Sequence, residues 1–339
     1  MNTRSEKVVL ITGDSGFIGS YLAAHLVRSG YRVRGLDRVS KIMFETDYPQ
    51  VIGDILDRKV LTEAMRDVDC IIHLAAKHGD FGVTDQEYFD VNEIGTRELL
   101  GCARDCGIKQ FIFFSSVAVY GNQQSPSEEA AVHPSNPYGL SKRAAEGAVR
   151  DWASEDPDRM CVIIRPTVVF GPHNRANIFK LIKYVCDKKF IWVGDGDIVK
   201  SLAYVENLVE ATHFLLKRMN PGLQVINYVD EPQMTTRQVV DLIARNAGVA
   251  VPKLKIPLGV AVGAARMIEM FGSITGHDFP VTATRLKKFN TSTCYSSGKI
   301  RSLGFKAPYS LEFGIAKNVQ WYLQEVQAKR SRVYENWEQ

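Results

Sequence analysis

The chain has 339 residues, 45% of them hydrophobic and 24% charged, enough for one large or two ordinary domains with a full core. That composition excludes a disordered or collagen-like chain, and there is no fixed-period repeat of the solenoid kind. With 42 basic against 38 acidic residues the net charge is +4, without the like-charge blocks that track a nucleic-acid backbone.

Strands are predicted at 7–12, 32–37, 70–75, 110–115 and 160–165, separated by helical patterns. Such alternation predicts an α/β fold, a doubly wound parallel sheet covered by helices on both faces. Ile178, Leu181, Ile182, Val185 and Cys186 then share one helix face, as do Val205, Leu208, Val209, Thr212 and Leu215. A further strand at 224–229 is expected to rejoin the sheet, and Leu311, Ile315, Val319 and Leu323 mark a closing helix. Proline and glycine at Pro166, Gly171, Pro172, Gly194, Gly196, Pro221, Gly222 and Pro232 mark crossings between layers. The larger domain is therefore expected to take 1–166 plus about 203–229. A smaller, mostly helical C-terminal domain takes the discontinuous segments of about 167–202 and 230–339. Within it, residues 256–274 are apolar, but Arg266 and Glu269 interrupt them before the ~20 residues of a membrane span. No transmembrane segment is expected; this stretch is read as a packed helix, with contact at a membrane surface as the other reading.

Residues 13 to 19 read Gly13-Asp14-Ser15-Gly16-Phe17-Ile18-Gly19, directly after the first strand and opening a helix. The first glycine permits a tight turn, the second lets the backbone approach a pyrophosphate, and the third lets helix and strand pack closely. The phosphates then sit on the helix N-terminus, where unpaired N–H groups and the helix dipole favour negative charge. Asp37 ends the next strand, where a carboxylate accepts hydrogen bonds from an adenosine ribose. Asp37 repels the 2′-phosphate of NADP whereas Arg38 attracts it, so NAD is the expected cofactor and NADP stays open. Asp54, in Gly53-Asp54-Ile55, either reaches the adenine amino group or caps a helix over 56–65.

The strand over 111–114 delivers Ser115 and Ser116 at its C-terminal end, the edge where open parallel sheets place ligands. Tyr138 and Lys142 follow on a predicted helix, one turn apart on the same face. A tyrosine starts from a pKa of ~10, and Lys142 with an oxidised nicotinamide is expected to bring it toward the working pH. The same spacing recurs at Tyr184 and Lys188 without a serine strand before it, and there it is read as an ordinary exposed helix pair.

Together, TGDSGFIG from Thr12, HLAA over 73–76, DVNEIGT from Asp90, SSVAVYG from Ser115, YGLSK from Tyr138, RPTVVFGP from Arg165 and LGFKAPYSLEFGI near the end form one pattern. It resembles the extended short-chain dehydrogenase/reductase family, particularly its NAD-dependent nucleotide-sugar epimerases, dehydratases and ketoreductases, over nearly the whole chain. The resemblance implies a Rossmann fold in which Ser116 polarises the substrate oxygen, Tyr138 exchanges its proton, and Lys142 orients the ribose. Around Gly13, Gly16, Gly19 and Asp37 it implies further cofactor contacts from Phe17, Ile18, Arg38, Asp54, Ile55 and Leu74. Ala75, Ala76, Lys77, Asn92, Ser115, Arg165 and Pro166 complete that set.

On the substrate side the resemblance adds Val117 to Ser116 and Tyr138. Asn177 is similar to the asparagine that family members present to a substrate diphosphate, its other reading being a helix N-cap. Lys200 takes a place often held by a phosphate-binding arginine, which substitutes a point charge for a bidentate fork. Arg175 and Arg285 are further phosphate candidates, and no metal is expected. The family commonly forms homodimers through helices here marked by Leu99, Leu100, Ala103, Ala144, Ala145 and Ala148, residues that suit an internal core equally well.

Dehydratases of the family carry an acidic pair directly after the catalytic serine or threonine, whereas this chain has Val117 and Ala118 there. The expected activity is a 4-epimerase of a nucleotide sugar acting through a 4-keto intermediate. A nucleotide-sugar 4-ketoreductase using NAD(P)H is an alternative, as is a hydroxy-dehydrogenase whose apolar alcohol is lined by residues 256–271. The six cysteines form no C-x-x-C pair and the start has no signal-peptide layout, so a reducing, cytoplasmic location is expected.

Overall fold

The longest β-branched runs become the middle of a sheet. In a computed structural model, which describes residues 7–40, 43–44, 46–79, 82–251, 253–275 and 291–335, the first six strands are Val8–Thr12 (β1), Arg32–Asp37 (β2), Gln50–Ile52 (β3), Cys70–His73 (β4), Gln110–Phe114 (β5) and Met160–Pro166 (β6). Short strands Val168–Phe170 (β7), Trp192–Val193 (β8), Val199–Lys200 (β9) and Leu202–Tyr204 (β10) precede Gly222–Tyr228 (β11), Met234–Thr235 (β12) and Lys255–Ile256 (β13). The main sheet runs β11-β6-β5-β4-β1-β2-β3 with every neighbouring pair parallel. β1 and β4 are buried at every residue because helices cover both faces. The strand order reverses beside β1, which leaves a crevice at the C-terminal ends of β1 and β4.

The helices are Phe17–Arg28 (α1), Arg58–Ala64 (α2), Asp85–Phe89 (α3), Gly95–Asp105 (α4), Pro137–Ser154 (α5), Asn177–Cys186 (α6), Val205–Leu216 (α7), Thr236–Ala247 (α8), Leu258–Thr275 (α9), Gly298–Ser302 (α10) and Leu311–Glu335 (α11). Two compact units result. One comprises Met1–Val169, Val205–Val229 and Tyr295–Pro308; the other comprises Phe170–Tyr204, Asp230–Cys294 and Tyr309–Gln339. The expectation that 230–339 stays in the second unit is corrected by Tyr295–Pro308. There α10 packs along β11, and Phe305 meets Tyr228 and Phe214 at centroid distances of 6.2 and 5.3 Å. That packing covers the outer strand of the sheet.

In the second unit α11 packs on α6 and α8, burying Leu311, Ile315, Val319 and Tyr322. Leu99, Leu100, Ala103, Ala145 and Ala148 lie in the first unit's own core with Phe111 and Trp152, so they do not mark a dimer face. Cys70, Cys102 and Cys161 are buried free thiols, whereas Cys106 is exposed. No helix among the described residues is long and apolar enough to cross a membrane.

A buried ion pair fixes the catalytic helix to the sheet. Glu146 of α5 accepts hydrogen bonds from Arg165 Nε at 2.7 Å, Arg165 Nη2 at 2.5 Å and Ser115 Oγ at 2.6 Å. Arg165 Nη1 donates to the Tyr120 hydroxyl at 2.7 Å, and that hydroxyl donates to Asn227 Oδ1 at 2.8 Å. Both charged residues are almost fully buried, 2% exposed for Glu146 and 1% for Arg165. The side chains of Arg165 and Ser115 are thus committed to the scaffold. On the other side of the unit His25 Nε2 lies 2.8 Å from His213 Nδ1, joining α1 to α7, and Glu210 approaches His25 Nδ1 at 3.6 Å. His25 shows a different nitrogen to each partner, hydrogen-bonded to His213 and within ion-pair distance of Glu210.

Glu146→Ala strands a buried guanidinium and is expected to lower the unfolding free energy by about 3–5 kcal/mol, measured by urea titration. Burial holds His213 down to about 4 and His73 down to about 3, so the unfolded chain binds these protons more readily. Their contribution to stability is complete above the ordinary histidine pKa of ~6.5 and is lost as pH falls toward those values. The melting temperature should drop between neutral and mildly acidic buffer, and His213→Gln should flatten that drop.

Candidate active site

The glycine turn at the end of β1 fits a dinucleotide by shape. Gly13 has φ of 75°, and a Cβ there would lie 2.7 Å from the Ala75 backbone nitrogen. A Cβ on Gly19 would lie 2.1 Å from the Gly13 carbonyl oxygen, so α1 sits directly on the turn. That helix begins after Gly16 with no side-chain cap, leaving its first N–H groups for an anion. Phe17 and Ile18 open it, both half-buried. Asp37 braces the turn from β2, accepting from Ser15 N at 3.2 Å and Val39 N at 3.3 Å.

Beside it, Arg38 is a largely exposed side chain whose Nε lies 3.5 Å from Asp54 Oδ2, a pairing that blunts its pull on a 2′-phosphate. Asp57, not Asp54, caps α2, accepting from Lys59 N and Val60 N; Asp54 instead accepts from Leu56 N at 3.0 Å. Ile55 packs its side chain into the core, where Gly95 leaves it room. Asp14, missed in the motif, is fully buried and takes a hydrogen bond from Tyr48 at 3.0 Å and another from Gln50. Burial raises its pKa, with Asp37 adding to the rise.

Across the crevice β4 ends at His73, putting Leu74, Ala75 and Ala76 on the following loop, each half-buried. His73 Nδ1 lies 2.6 Å from Thr12 Oγ1 and its Nε2 3.0 Å from Thr96 Oγ1. Thr96 donates its own proton to the Asn92 carbonyl at 2.6 Å, so Nε2 is the donor and Nδ1 accepts from Thr12. Asn92 sits in the π-turn Asp90–Ile94, accepting from Lys77 N at 2.7 Å. It donates to Lys77 O at 3.1 Å and Ser141 Oγ at 2.9 Å. Both amide protons are spent, so Asn92 ties the loop after β4 to α5. The Lys77 ammonium pairs with Glu87 at 3.0 Å.

Ser116 follows β5 in an extended conformation and caps the turn Val117–Tyr120, accepting from Ala118 N at 3.2 Å. Asn136 caps α5 by accepting from Gly139 N at 2.7 Å, and Pro137 occupies its first turn. A Cβ on Gly139 would lie 2.7 Å from the Ala118 carbonyl, so the first turn of α5 lies against the serine turn. That approach makes Ser116 and Tyr138 neighbours. Lys142, 3% exposed, donates to the Phe114 carbonyl at 2.8 Å and lies 4.9 Å from the Phe113 ring centroid. Tyr88 of α3 meets the Tyr138 ring edge to face at 6.0 Å.

Burial pushes Tyr138 up to about 12, with the neighbouring Ser116 hydroxyl pulling the other way. It pushes Lys142 down to about 7, opposed by Glu146. In this arrangement desolvation dominates at the Tyr138 phenol, and the Lys142 ammonium is turned to the Phe114 carbonyl. Glu146 was missed in the sequence, although Tyr138, Lys142 and Glu146 recur every four residues along one stripe of α5.

The remaining substrate candidates divide differently. Val117 packs beside Val119 and Tyr120 next to the serine, and Pro166 is buried at the end of β6. Asn177 is an exposed residue at the start of α6, but Ala176 is the cap and no side chain bonds there, which removes the N-cap reading. In the same unit Lys200 Nζ donates to the Thr291 carbonyl at 2.6 Å, and Arg175 pairs with Glu325 at 2.5 Å. Those bonds engage both cations with the protein itself. Arg285 lies outside the described residues. Tyr184 is 53% exposed and α6 ends before Lys188, so that second pair does not share a helix face.

Residues 9–228 match the family described as "NAD dependent epimerase/dehydratase family". The chain is 37% identical over 317 residues to N-acetyl-alpha-D-glucosaminyl-diphospho-ditrans,octacis-undecaprenol 4-epimerase of Escherichia coli O157:H7, covering 92% of this chain and 94% of the relative. It is 30% identical over 335 residues to UDP-glucose 4-epimerase of Vibrio cholerae, covering 94% and 96%. The solved structure of UDP-glucuronic acid 4-epimerase from Bacillus cereus in complex with NAD shares the fold, with TM-score 0.74 and 23% identity over 94% of this chain and 99% of that one. The chain therefore belongs to the NAD dependent epimerase/dehydratase family, enzymes of the extended short-chain dehydrogenase/reductase type that work with NAD.

Proposed function

We infer that this protein is a 4-epimerase of a sugar carried on a diphosphate, acting through a 4-keto intermediate. The observation that carries the reading is the packing of the first turn of α5, with Tyr138, directly against the turn that carries Ser116, where Val117 and Ala118 stand in the places that elimination of water would need carboxylates. Support comes from the relatives, one acting by its name on a lipid-linked sugar diphosphate and one on UDP-glucose. The common chemistry of the two is a sugar on a diphosphate, which widens the expected nucleotide sugar.

The backbone of Gly13, Gly16 and Gly19 with the first turn of α1 would hold the pyrophosphate of NAD, Asp37 a ribose, and Ala75 and Ala76 the wall beside them. Bound NAD supplies a hydride acceptor and, once reduced, the donor that restores the carbon. Ser116 Oγ holds the C4 oxygen while Tyr138 Oη takes its proton, and in the return step the same phenol gives that proton back. A tyrosine with its pKa near 12 keeps its proton at rest, so the base form requires positive charge close by. Lys142 is the candidate for that charge. One of its N–H groups is fixed on the Phe114 carbonyl, and the ammonium form has two more for a ribose hydroxyl.

Purified protein given a sugar diphosphate and no added cofactor is expected to yield both C4 epimers, with unchanged mass, by NMR and mass spectrometry. A requirement for added NAD(P)H would point to a ketoreductase, and loss of water to a dehydratase. Tyr138→Phe should cut kcat by about 10²–10⁴-fold while retained NAD stays constant. Ser116→Ala should cost about 10²–10³-fold through loss of an oxygen-stabilising donor. A near wild-type rate in Tyr138→Phe removes the proposed proton transfer.

A further inference from the structure

Two histidines and a glutamate lie together in the first unit where the functional reading has no use for them. Glu210 and His213 stand three residues apart on α7 and so share a face of that helix, and His25 meets them from α1. His25 Nε2 lies 2.8 Å from His213 Nδ1, and Glu210 Oε1 lies 3.6 Å from His25 Nδ1. With one donor atom taken from each residue, the three atoms fall within 4.8 Å of one another. Among the described residues this is the one group of histidine, cysteine and carboxylate side chains so placed. Spacing in the sequence does not announce it, because the two histidines are 188 residues apart.

The two helices aim their negative ends at this point. α1 and α7 pack on each other, and each leads into a strand of the parallel sheet, β2 and β11, so they run in the same direction. His25 and His213 both stand in the last turn of their helix, where the dipole favours a cation. His213 is buried and meets the Tyr31 ring edge to face at 5.3 Å, whereas the Glu210 side chain is 41% exposed. The group is thus fixed at its inner end and open to water at its outer end. Arg28 and Lys217 are the cations acting on the histidines, and Glu210 supplies the opposing charge. Burial lowers the pKa of both imidazoles, which favours the neutral form with a lone pair to give.

We propose that His25, Glu210 and His213 bind one divalent transition-metal ion of the Zn²⁺ class, which clips α1 to α7 and keeps a water in its fourth position. Two imidazoles and a carboxylate are a zinc donor set, and a carboxylate and an imidazole at i, i+3 on one helix are a spacing by which helical proteins present metal ligands. With bonds of ~2.0–2.1 Å the ligand atoms of a tetrahedral ion stand about 3.4 Å apart, so the two ring nitrogens separate by about half an ångström to admit it. The carboxylate, on a half-exposed side chain, swings in by about an ångström. Each ring keeps its single proton on the nitrogen turned away from the ion, so binding exchanges a tautomer and leaves the charge of the rings unchanged. Mg²⁺, which takes oxygen ligands, is refused. The ion holds the far end of the helix that opens at the glycine turn, roughly 13 Å from Gly16 at 1.5 Å per residue.

The test is calorimetric titration of the full chain, untagged and stripped with EDTA, with Zn²⁺ in the presence of excess Mg²⁺. One Zn²⁺ should bind per chain and raise the melting temperature. His25→Gln, His213→Gln and Glu210→Gln should each weaken binding about 100-fold or more, since even a residue that only orients a metal ligand is worth about 10–100-fold. Glu210→Gln changes a half-exposed side chain and should leave the melting curve of the metal-free protein as it is, so its loss of binding cannot be laid to misfolding. Co²⁺ in place of Zn²⁺ should give the visible absorption of a four-coordinate site without a near-ultraviolet thiolate band, which separates this site from binding at the exposed Cys106. Failure of the wild type to bind one equivalent, a thiolate band, or binding unchanged in any one of the three variants overturns the proposal and leaves the three residues as a contact between two helices.

Discussion

The site depends on a charge buried where it cannot be hydrated. Glu146 and Arg165 are each almost sealed from solvent, and each is tolerable there only because the other is present and the remaining lone pairs and protons are bonded. The pair joins α5, which carries Tyr138 and Lys142, to β6. Through Ser115 and Tyr120 it also reaches both sides of the turn that carries Ser116. An apolar contact of the same area would hold these elements together but let them slide. Directed bonds fix the rotation of α5 about its axis, and with it the direction in which the tyrosine points.

A second polar chain does the same on the facing side of the crevice. Thr12, His73, Thr96, Asn92 and Ser141 link β1, β4, α4 and α5 by hydrogen bonds between buried groups. His73 is confined to one neutral tautomer by the direction of the Thr96 bond. Its Thr12 and Thr96 partners keep both ring nitrogens satisfied, so burial is not left uncompensated. The crevice thus lies between two braced walls, and the residues left free to meet a ligand are backbone groups at the glycine turn together with Ser116, Tyr138 and Lys142. Burial also sets the resting state: it keeps the proton on the phenol and weakens the hold of Lys142 on its own proton.

Much of this was legible in the sequence, and what was not has a physical reason. The glycine turn, Asp37 and the order of serine strand, tyrosine and lysine are local patterns with fixed spacing, and six strands of the parallel sheet follow from their β-branched runs, the short edge strand β3 excepted. The Glu146–Arg165 pair was not legible because its members lie on different elements, and spacing along one chain does not announce such a pair. Asp54 and Asp57 are both acceptable caps by residue type, and only the backbone entering α2 distinguishes them. The charged neighbour of Tyr138 is visible in sequence, whereas its desolvation is not. Phe305 draws Tyr295–Pro308 back to the first unit without any periodicity to signal it.

Placing a 4-epimerase on this scaffold makes one demand beyond those of a simple reductase: the hydrogen removed from the sugar must return to the same carbon. The most direct measurement uses a sugar diphosphate carrying deuterium at C4, incubated in ordinary water with the purified protein and no added cofactor, with the product read by NMR. The account predicts the C4 epimer with its deuterium still at C4. Deuterium lost from C4 in the product, or conversion only when NAD(P)H is supplied, would contradict it.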